Sequence, residues 1–423
     1  MRHLHPLVLT HTEQVLREIM NFAAPTDVVL SRYFRENRKI GPRERGAIAE
    51  AVYAVLRHRL FFTNYAESGS GPMMRRLALL GLAESAGRQM IGKLSEEEAN
   101  WLERMEKIDR SQLAPRVRAD MPEWIFEKLV AQYGEKEALL LAQALNVPAP
   151  LDLRVNTLKA KRDEVVAALA EAPIACEPTP YAPLGLRVGK KAALQNMPLF
   201  KDGAIEVQDE GSQILAQIVG AKRGEMVADF CAGAGGKTLA LGTNMRNTGR
   251  LYAFDVSDKR LAKMKPRLAR SGLSNVHPIH IAHERDARIK RLAGKIDRVL
   301  VDSPCSGLGT LRRNPDIKWR QTPEGLAELT EKQAAILESA ARLVKPGGRL
   351  VYATCSLLEE ENEAVVQDFL SKHPDFILRP ISEILAEQKI DLEMGDYLKL
   401  LPHRHQTDGF FAAVLEKGAK KTA

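Results

Sequence analysis

The chain has 423 residues, 45% hydrophobic and 27% charged, so it is long enough for two or three globular domains and is neither disordered nor fibrous. Its 62 basic and 54 acidic residues leave a net charge of +8, which is compatible with a polyanionic partner but does not establish one. It has no run of 18 apolar residues, no secretory signal and no CxxC pair among its four cysteines. We therefore expect a cytoplasmic protein with reduced thiols, without a membrane span or a bound metal ion.

Residues 1–145 are predicted to form a helical domain. Hydrophobic residues recur on one helical face after Gly41-Pro42, and similar patterns predict helices over Met73–Met90 and, as two shorter ones, over Trp124–Leu145. The first face consists of Ile48, Val52, Val55 and Leu56, flanked by Arg43, Arg45, Arg57 and Arg59. These arginines allow two interpretations: they belong to a basic module that touches RNA, or they form a charged surface that packs on its neighbour.

Residues 146–207 are predicted to form a small α/β domain. The composition shifts at Asn146-Val147-Pro148-Ala149-Pro150, which indicates a boundary. Beyond it, the pattern predicts a strand over 151–156, a helix over 162–169 and short extended segments near 174–177, 184–188 and 204–207. A unit of roughly 60 residues is close to the smallest size that folds alone.

From Gln208 onward, apolar strands alternate with helices. The strand candidates are Met226–Phe230, Arg250–Asp255, Val276–Ile281, Arg298–Val301 and Arg349–Ala353. This alternation predicts a parallel sheet with helices on both faces, within a domain over residues 208–423. Ligands of such sheets bind beyond the carboxyl ends of the strands, so the residues that follow each strand form the candidate site.

A glycine-rich turn, Cys231-Ala232-Gly233-Ala234-Gly235-Gly236-Lys237-Thr238, follows the first of these strands. Glycines let a backbone approach a ligand closely, and the next helix offers its N-terminal amides. The end of the turn fits a P-loop, but Cys231 stands where that motif needs its first glycine. The dinucleotide-binding motif also fails, because Thr238 stands in place of its third glycine. The turn is therefore a plain structural turn or a site for an adenosine-bearing ligand without a phosphate chain.

Acidic residues follow the second and third strands. Asp255 ends the second strand, where a carboxylate can accept hydrogen bonds from both ribose hydroxyls. Asp286 follows the third strand. Each aspartate alone is typical of a loop or a helix cap. Three ligand-type features after three successive strands favour a nucleoside-binding edge.

Two of the four cysteines follow the fourth and fifth strands. The fourth strand continues into Asp302-Ser303-Pro304-Cys305, and the fifth into Thr354-Cys355-Ser356. A free cysteine is usually a small buried hydrophobic residue. A pair just past the ends of apolar strands is also where a nucleophilic thiol would be exposed. No spacing of histidines or carboxylates indicates a metal site or a serine-type triad.

These motifs resemble those of the Sun/Nop family of RNA cytosine-5 methyltransferases, and most of all its bacterial branch, the RsmB-type 16S ribosomal RNA methyltransferases. The matching segments are 208–212, 302–310, 314–319, 352–356, 361–363 and 408–411. The resemblance covers about residues 151–415, and the two cysteine motifs together are highly specific. Residues 33–38 resemble the NusB-like RNA-binding extension of the bacterial branch, with less specificity.

The resemblance implies an α/β fold: a Rossmann-like S-adenosylmethionine-dependent methyltransferase domain over 208–423, an RRM-like domain over 146–207 and an all-α, NusB-like domain over 1–145. The implied cofactor is S-adenosyl-L-methionine, which agrees with an adenosine ligand that lacks a phosphate chain. The implied cofactor contacts are Cys231, Ala232, Gly233, Ala234, Gly235, Gly236, Lys237, Asp255 at the ribose, Asp286 beside the adenine, and Asp302. Ala234 departs from the proline usual in the family, but the glycines and Lys237 are intact.

The resemblance also implies catalytic roles. Carbon 5 of cytosine is a weak nucleophile, and addition of a thiolate to carbon 6 activates it. Cys355 is implied to be that nucleophile, Asp302 to stabilise the charge that develops at ring nitrogen 3, and Cys305 to assist release. The expected partner is RNA, ribosomal RNA above all, with the target base taken out of its stack. We expect the protein to be a monomer.

Three alternative functions differ from this one. A DNA cytosine-5 methyltransferase uses the thiol of its Pro-Cys motif as nucleophile and would not be expected to carry Cys355. A ribosome-assembly factor that has lost catalysis would be expected to have degraded motifs, whereas both cysteines, Asp302 and the glycine loop are present. A tRNA cytosine-5 methyltransferase would share the motifs. The sequence favours the ribosomal RNA enzyme.

Overall fold

The structure, a computed structural model, describes residues 3–189 and 194–419. The chain divides into two compact units. The first comprises Met1–Pro148 and Thr310–Pro323, and the second comprises Ala149–Gly309 and Glu324–Ala423. Compact units and fold domains are different divisions of a chain, so the bounds of the three predicted domains stay a prediction.

The first unit is helical in its described part. Its helices up to residue 145 are α1 (Leu7–Ile19), α2 (Thr26–Glu36), α3 (Pro42–Arg57), α4 (Arg59–Ala66), α5 (Met73–Ala86), α6 (Glu96–Glu106), α7 (Pro115–Ala119), α8 (Glu123–Tyr133) and α9 (Glu135–Leu145). Helical spacing puts Ile48, Val52 and Val55 on one face of α3, and all three are fully buried in the core of the unit. The helices predicted in this part of the chain are confirmed.

Glycines set two helix boundaries in the first unit. Helix α5 ends at Ala86 and not at the predicted Met90, because Gly87 has a φ of +89° and a 3₁₀ turn follows it. Gly134, with a φ of +80°, separates α8 from α9. An L side chain is strained at such angles, so the helices break there.

The second unit begins with a four-stranded antiparallel sheet. Its elements are β1 (Leu151–Val155), α10 (Arg162–Glu171), β2 (Cys176–Pro178), β3 (Gly185–Val188), α11 (Pro198–Lys201) and β4 (Ile205–Val207). The strand order is β2-β3-β1-β4. Leu153, Val165 and Leu186 are fully buried together, so the sheet packs its apolar face on α10. The predicted strands and helix are confirmed.

A larger sheet follows in the second unit. The remaining elements of the chain, of which α16 belongs to the first unit, are in order α12 (Glu210–Ile218), β5 (Met226–Asp229), α13 (Gly236–Asn244), β6 (Arg250–Asp255), α14 (Asp258–Ser271), β7 (Val276–His280), α15 (Ala287–Lys290), β8 (Ile296–Asp302), α16 (Ile317–Arg320), α17 (Pro323–Ala341), β9 (Val344–Thr354), α18 (Glu363–Lys372), β10 (Phe376–Arg379), α19 (Ile381–Glu387), β11 (Leu398–Leu400), α20 (Pro402–His405) and β12 (Phe410–Lys417). The strand order is β10-β12-β9-β8-β5-β6-β7, and β11 also pairs with β12.

The order in which successive strands join this sheet reverses at β5. Strands β6 and β7 lie on one side of it, and β8 and β9 lie on the other. These five strands are parallel, whereas β10, β11 and β12 pair antiparallel. A reversal of strand order opens a crevice at the carboxyl ends of the two neighbouring strands between which it occurs, here β5 and β8. The five predicted parallel strands are confirmed, and the three antiparallel ones are additions to the prediction.

Residues 310–323 pack within the first unit, although the chain before and after them belongs to the second. Lys318 of α16 is fully buried. Its ammonium donates to three oxygen atoms: the Arg57 carbonyl at 3.0 Å, the Asp120 carbonyl, and the Asn146 side chain at 2.7 Å. The chain between β8 and α17 is therefore anchored in the helical unit.

Candidate active site

The glycine-rich loop joins β5 to α13. Gly233 has a φ of +56° and Gly235 a φ of +87°, in the left-handed region that favours glycine. A Cβ atom on Gly235 would lie 2.6 Å from Cγ of Met264, so a side chain there would displace that residue. Helix α13 begins at Gly236, and its first amides lack partners within the helix. The loop suits a ligand that approaches the backbone closely.

Asp255 ends β6 with only 3% of its surface exposed. Its Oδ2 accepts a hydrogen bond from the Gly233 N–H at 2.8 Å, and its Oδ1 accepts one from the Ser257 N–H at 2.8 Å. Each carboxylate oxygen has a second lone pair. Asp255 can therefore hold the glycine loop and still accept hydrogen bonds from a ligand.

Asp229, the last residue of β5, is a site residue that sequence reasoning missed. Its Oδ2 accepts a hydrogen bond from Thr238 Oγ1 at 2.7 Å. Its Oδ1 is buried and has no hydrogen-bond partner in the part of the chain that the structure describes. Burial raises the pKa of Asp229 to about 7. A buried oxygen without a partner beside the glycine loop fits a site that a polar ligand such as S-adenosylmethionine completes.

Lys237 of α13 contacts Asp302 at the end of β8. Its Nζ donates to Oδ2 of Asp302 at 2.7 Å and lies 5.6 Å from the centre of the Phe410 ring. Burial alone would lower the pKa of Lys237, but Asp302 and, to a smaller degree, Cys355 raise it above its ordinary value. Lys237 therefore stays a cation and connects the glycine loop to the end of the fourth parallel strand.

Asp286 makes its hydrogen bonds within its own loop. Its Oδ1 accepts from the Arg288 N–H at 2.9 Å and its Oδ2 from the Ala282 N–H at 3.0 Å, so it caps α15. These backbone hydrogen bonds lower the pKa of Asp286. The structure thus explains Asp286 as a helix cap, and its place beside an adenine stays a prediction.

The thiols of Cys305 and Cys355 are in contact. Their Sγ atoms lie 3.4 Å apart, and both residues are partly exposed and free of disulfides. Asp302 pairs with Ala353 across β8 and β9, which puts the two cysteine loops side by side. The hydrogen bond with Cys355, followed by burial, raises the pKa of Cys305 well above its ordinary value. Cys305 therefore stays a thiol at neutral pH, next to the sulfur of Cys355.

Cys231, at the start of the glycine loop, differs from this pair. Burial and then the carboxylates of Asp302 and Asp229 raise the pKa of its thiol above the ordinary value. Cys231 therefore stays protonated, and its chemistry is that of a loop residue and not of a nucleophile.

Three of the four arginines beside the buried face of α3 are used within the helical unit. Arg57 is 7% exposed and donates to the Arg312 carbonyl at 3.1 Å. The guanidinium of Arg59 lies 4.7 Å from the Phe22 ring. Arg45 donates to a backbone carbonyl just before α3 at 2.8 Å. These contacts support the packing interpretation for the three arginines.

The groups gathered at the carboxyl edge of the parallel strands are two thiols, several carboxylates, one ammonium and a glycine loop. Within residues 3–189 and 194–419, no three His, Cys, Asp or Glu side chains are grouped so as to hold a metal ion. In the same ranges, every helix is too short or too polar to cross a membrane.

Comparison with known proteins gives consistent matches. A family model described as 16S rRNA methyltransferase RsmB/F matches residues 216–416, and a model of the ferredoxin-like domain of RsmF/B-like methyltransferases matches residues 121–195. The "Probable ribosomal RNA small subunit methyltransferase B" of Synechocystis sp. is 33% identical over 437 residues, which cover 95% of this chain and 98% of that protein.

Solved structures extend the similarity to the fold. The structure of PH0851 superposes with a TM-score of 0.76 at 26% identity, over 98% of this chain and 99% of that one. A methyltransferase homolog protein from Pyrococcus horikoshii superposes with a TM-score of 0.62 at 31% identity, over 73% of this chain and 100% of that one. The predicted fold class is confirmed. The chain, matched over almost its whole length, belongs to the RsmB/F family of 16S ribosomal RNA methyltransferases.

Proposed function

We propose that this protein methylates carbon 5 of a cytosine in 16S ribosomal RNA, through a temporary covalent bond between Cys355 and the base. The observation that carries the proposal is the contact of two thiols, 3.4 Å apart at the ends of neighbouring parallel strands. The Lys237–Asp302 pair adjoins these strand ends. Buried structural cysteines need neither exposure nor a neighbouring ion pair, whereas covalent activation of a pyrimidine uses both.

The family is S-adenosylmethionine-dependent, and the residues present fit this cofactor. We propose that the backbone of residues 231–237 holds its methionine and adenosine portions and that Asp255 accepts hydrogen bonds from its ribose. The positive φ angles of the glycines and the spare lone pairs of Asp255 support this assignment. When bound, the cofactor supplies an electrophilic methyl group.

The first chemical step assigned to the chain is addition of Cys355. Its thiolate forms a bond from Sγ to carbon 6 of cytosine, and the electron pair of the double bond between carbons 5 and 6 makes carbon 5 nucleophilic. Negative charge then develops on the ring. The Lys237 cation, held by Asp302, is available to offset that charge.

The Lys237–Asp302 pair also matches the edge of a cytosine. That edge carries an amino group, which donates hydrogen bonds, next to ring nitrogen 3, which accepts them. A carboxylate can accept from the amino group, and an ammonium can donate to the ring nitrogen. We propose that the pair distinguishes cytosine from uracil on this basis.

Release of the product is the step assigned to Cys305. After methyl transfer, carbon 5 loses its proton, the bond from Sγ to carbon 6 breaks, and its electron pair returns to Cys355. A thiol whose pKa is raised keeps its proton at neutral pH, so Cys305 can donate that proton toward the Cys355 sulfur as the bond to carbon 6 breaks, while the carbon 5 proton passes to water. The contact between the two sulfur atoms supports a shared site for addition and release.

We further propose that RNA docks on residues 1–145 and on the small antiparallel sheet within residues 146–207. The charge excess of the chain supports a polyanionic partner. The monomeric state and the cytoplasmic location stay predictions.

Methylation of defined RNA tests the proposal. Purified protein is incubated with S-adenosylmethionine and 16S ribosomal RNA from cells that lack the enzyme, and bisulfite sequencing then locates 5-methylcytosine. We expect one new 5-methylcytosine, absent with Cys355→Ala. A methyl group on another atom, transfer to tRNA instead, or no transfer by a protein that binds both ligands would each overturn the proposal.

A further inference from the structure

Glu361 is a buried carboxylate that the chemistry above does not use. It ends the short 3₁₀ turn Glu359–Glu361 that follows β9, and none of its surface is exposed. A carboxylate is rarely fully buried unless its oxygens are paired. The partners of Glu361 therefore indicate why the chain keeps a charge there.

Within the described residues, the hydrogen bonds that reach the Glu361 carboxylate come from the neighbourhood of the two thiols. Its Oε1 accepts from the Ser306 N–H at 2.7 Å and from Gln333 Nε2 at 2.9 Å. Its Oε2 accepts from Ser306 Oγ at 2.5 Å and from Ser356 Oγ. Four donors fill the capacity of an ionised carboxylate. Charge-assisted hydrogen bonds of this kind are the strong ones.

Two of these donors are the residues that directly follow the two cysteines. Ser306 directly follows Cys305, and Ser356 directly follows Cys355. Gln333 donates at the same time to the carbonyl of Pro304, at 3.0 Å, just before the first of these cysteines. The Glu361 side chain therefore holds both cysteine loops, because it accepts hydrogen bonds from the residue that follows each cysteine.

We propose that Glu361 is a positioning residue that holds Cys305 and Cys355 at the spacing needed for addition and release at one base. The inference rests on the proposed function for its role in catalysis, but the spacing itself is a property of the protein alone. A carboxylate is suited to this task because it accepts from four donors at once, whereas an amide offers one accepting oxygen.

The spacing can be measured without RNA. Phenylarsine oxide, a trivalent arsenical, reacts with two thiols that lie close together: two sulfur–arsenic bonds form, and the arsenic-bound oxygen leaves as water with both thiol protons. The full-length protein should bind one equivalent across Cys305 and Cys355 and lose alkylation at both. Cys305→Ala should abolish this bridge.

The decisive variant is Glu361→Gln, with Glu359→Gln as the matched control on an exposed neighbour. Glu361→Gln should keep its affinity for S-adenosylmethionine within about twofold, bind the arsenical at least tenfold more weakly and methylate RNA with a kcat at least tenfold lower. Glu359→Gln should match the wild type in all three. Wild-type arsenical bridging in folded Glu361→Gln would overturn the inference.

Two further variants keep the inference testable if Glu361→Gln does not fold. Ser306→Ala and Ser356→Ala each remove a hydroxyl donor while the carboxylate stays, and each should weaken the bridge several-fold. Wild-type bridging in both would contradict the inference. If bridging depends on Glu361 but the wild type does not methylate RNA, the positioning role stands and the proposed function fails.

Discussion

Lys237 donates a hydrogen bond of 2.7 Å to Asp302, and this bond connects the glycine loop after β5 to the strand end that leads to Cys305. The two residues are 65 positions apart in the chain, and the pair occupies the crevice where the strand order reverses. In the function proposed above, this pair lies between the cofactor and the target base.

Lys237→Met tests the importance of this pair. The variant keeps much of the side-chain volume but leaves the Asp302 carboxylate without its cation. We expect methyl transfer in a single turnover to slow by about 10²–10³-fold, as when one preorganised donor is removed from a charge-stabilising site. Lys372→Met, at a lysine whose side chain is 63% exposed, should transfer at the wild-type rate. A fast Lys237→Met enzyme would remove the pair from the mechanism.

Asp255 and Asp286 should differ in their effect on the cofactor. Because we propose that the Asp255 carboxylate accepts hydrogen bonds from the ribose, Asp255→Asn should weaken S-adenosylmethionine binding by about 1–3 kcal/mol. Asp286 caps its own helix through Oδ1 and accepts from the Ala282 N–H through Oδ2, so Asp286→Asn should weaken cofactor binding by less than about 1 kcal/mol. Calorimetry on the two folded variants measures this order. Equal losses, or no loss with Asp255→Asn, would contradict the assignment.

Asp229 should make the stability of the second unit depend on pH. Its pKa is raised by burial to about 7 from an unfolded value of about 3.9, so the folded state holds this proton more tightly. The contribution of Asp229 to the free energy of unfolding is complete below about pH 4. It is lost as the pH rises to about 7, by at most about 1.4 kcal/mol per pH unit.

Asp229→Asn should remove that dependence. Hydrogen exchange at the amides of β5, followed between pH 5 and 8 and corrected for intrinsic exchange rates, gives the opening free energy of wild type and variant. The opening free energy of the wild type, minus that of the variant, should decrease as the pH rises to about 7. A difference that is constant across this range would mean that Asp229 titrates below it.

Lys318 should stabilise the first unit. Lys318→Met leaves three buried oxygen acceptors without their donor and should destabilise the unit by about 2–4 kcal/mol. Lys107→Met, at a side chain that is 71% exposed, should stay within about 0.5 kcal/mol of the wild type. Urea unfolding, monitored by hydrogen exchange at the α3 amides, measures the stability of the first unit in both variants. A Lys318→Met unit as stable as the control would contradict the anchoring role.

The parallel sheet and its glycine loop were predictable from local patterns. Apolar runs such as 226–230 and 250–255 have a glycine shortly before them and an aspartate near their end, and these residues mark where the strand begins and ends. Strand β12 was not predicted, because the run Phe410–Lys417 has no alternation and its pairing with β9 depends on the folded sheet. An apolar run of this length fits a buried helix as well as a strand.

Long-range contacts account for the residue roles that the sequence did not reveal. Glu361 reaches Ser306, 55 positions away, and Lys318 reaches Asn146, 172 positions away, so neither partner can be read from local spacing. Asp229 did carry a local signal, because it is an acid that ends a strand directly before a glycine-rich loop. Its unpartnered oxygen, however, is visible only in the folded protein.

The division of labour between the two thiols is tested most directly by trapping the covalent complex with RNA. Cys305→Ala, Cys355→Ala and the double variant are incubated with S-adenosylmethionine and substrate RNA, denatured and separated on a gel. Cys305→Ala should accumulate a denaturation-resistant protein–RNA band, because addition by Cys355 proceeds while release stalls. Cys355→Ala and the double variant should give none. A band from Cys355→Ala and none from Cys305→Ala, or no band from any variant, would contradict the account.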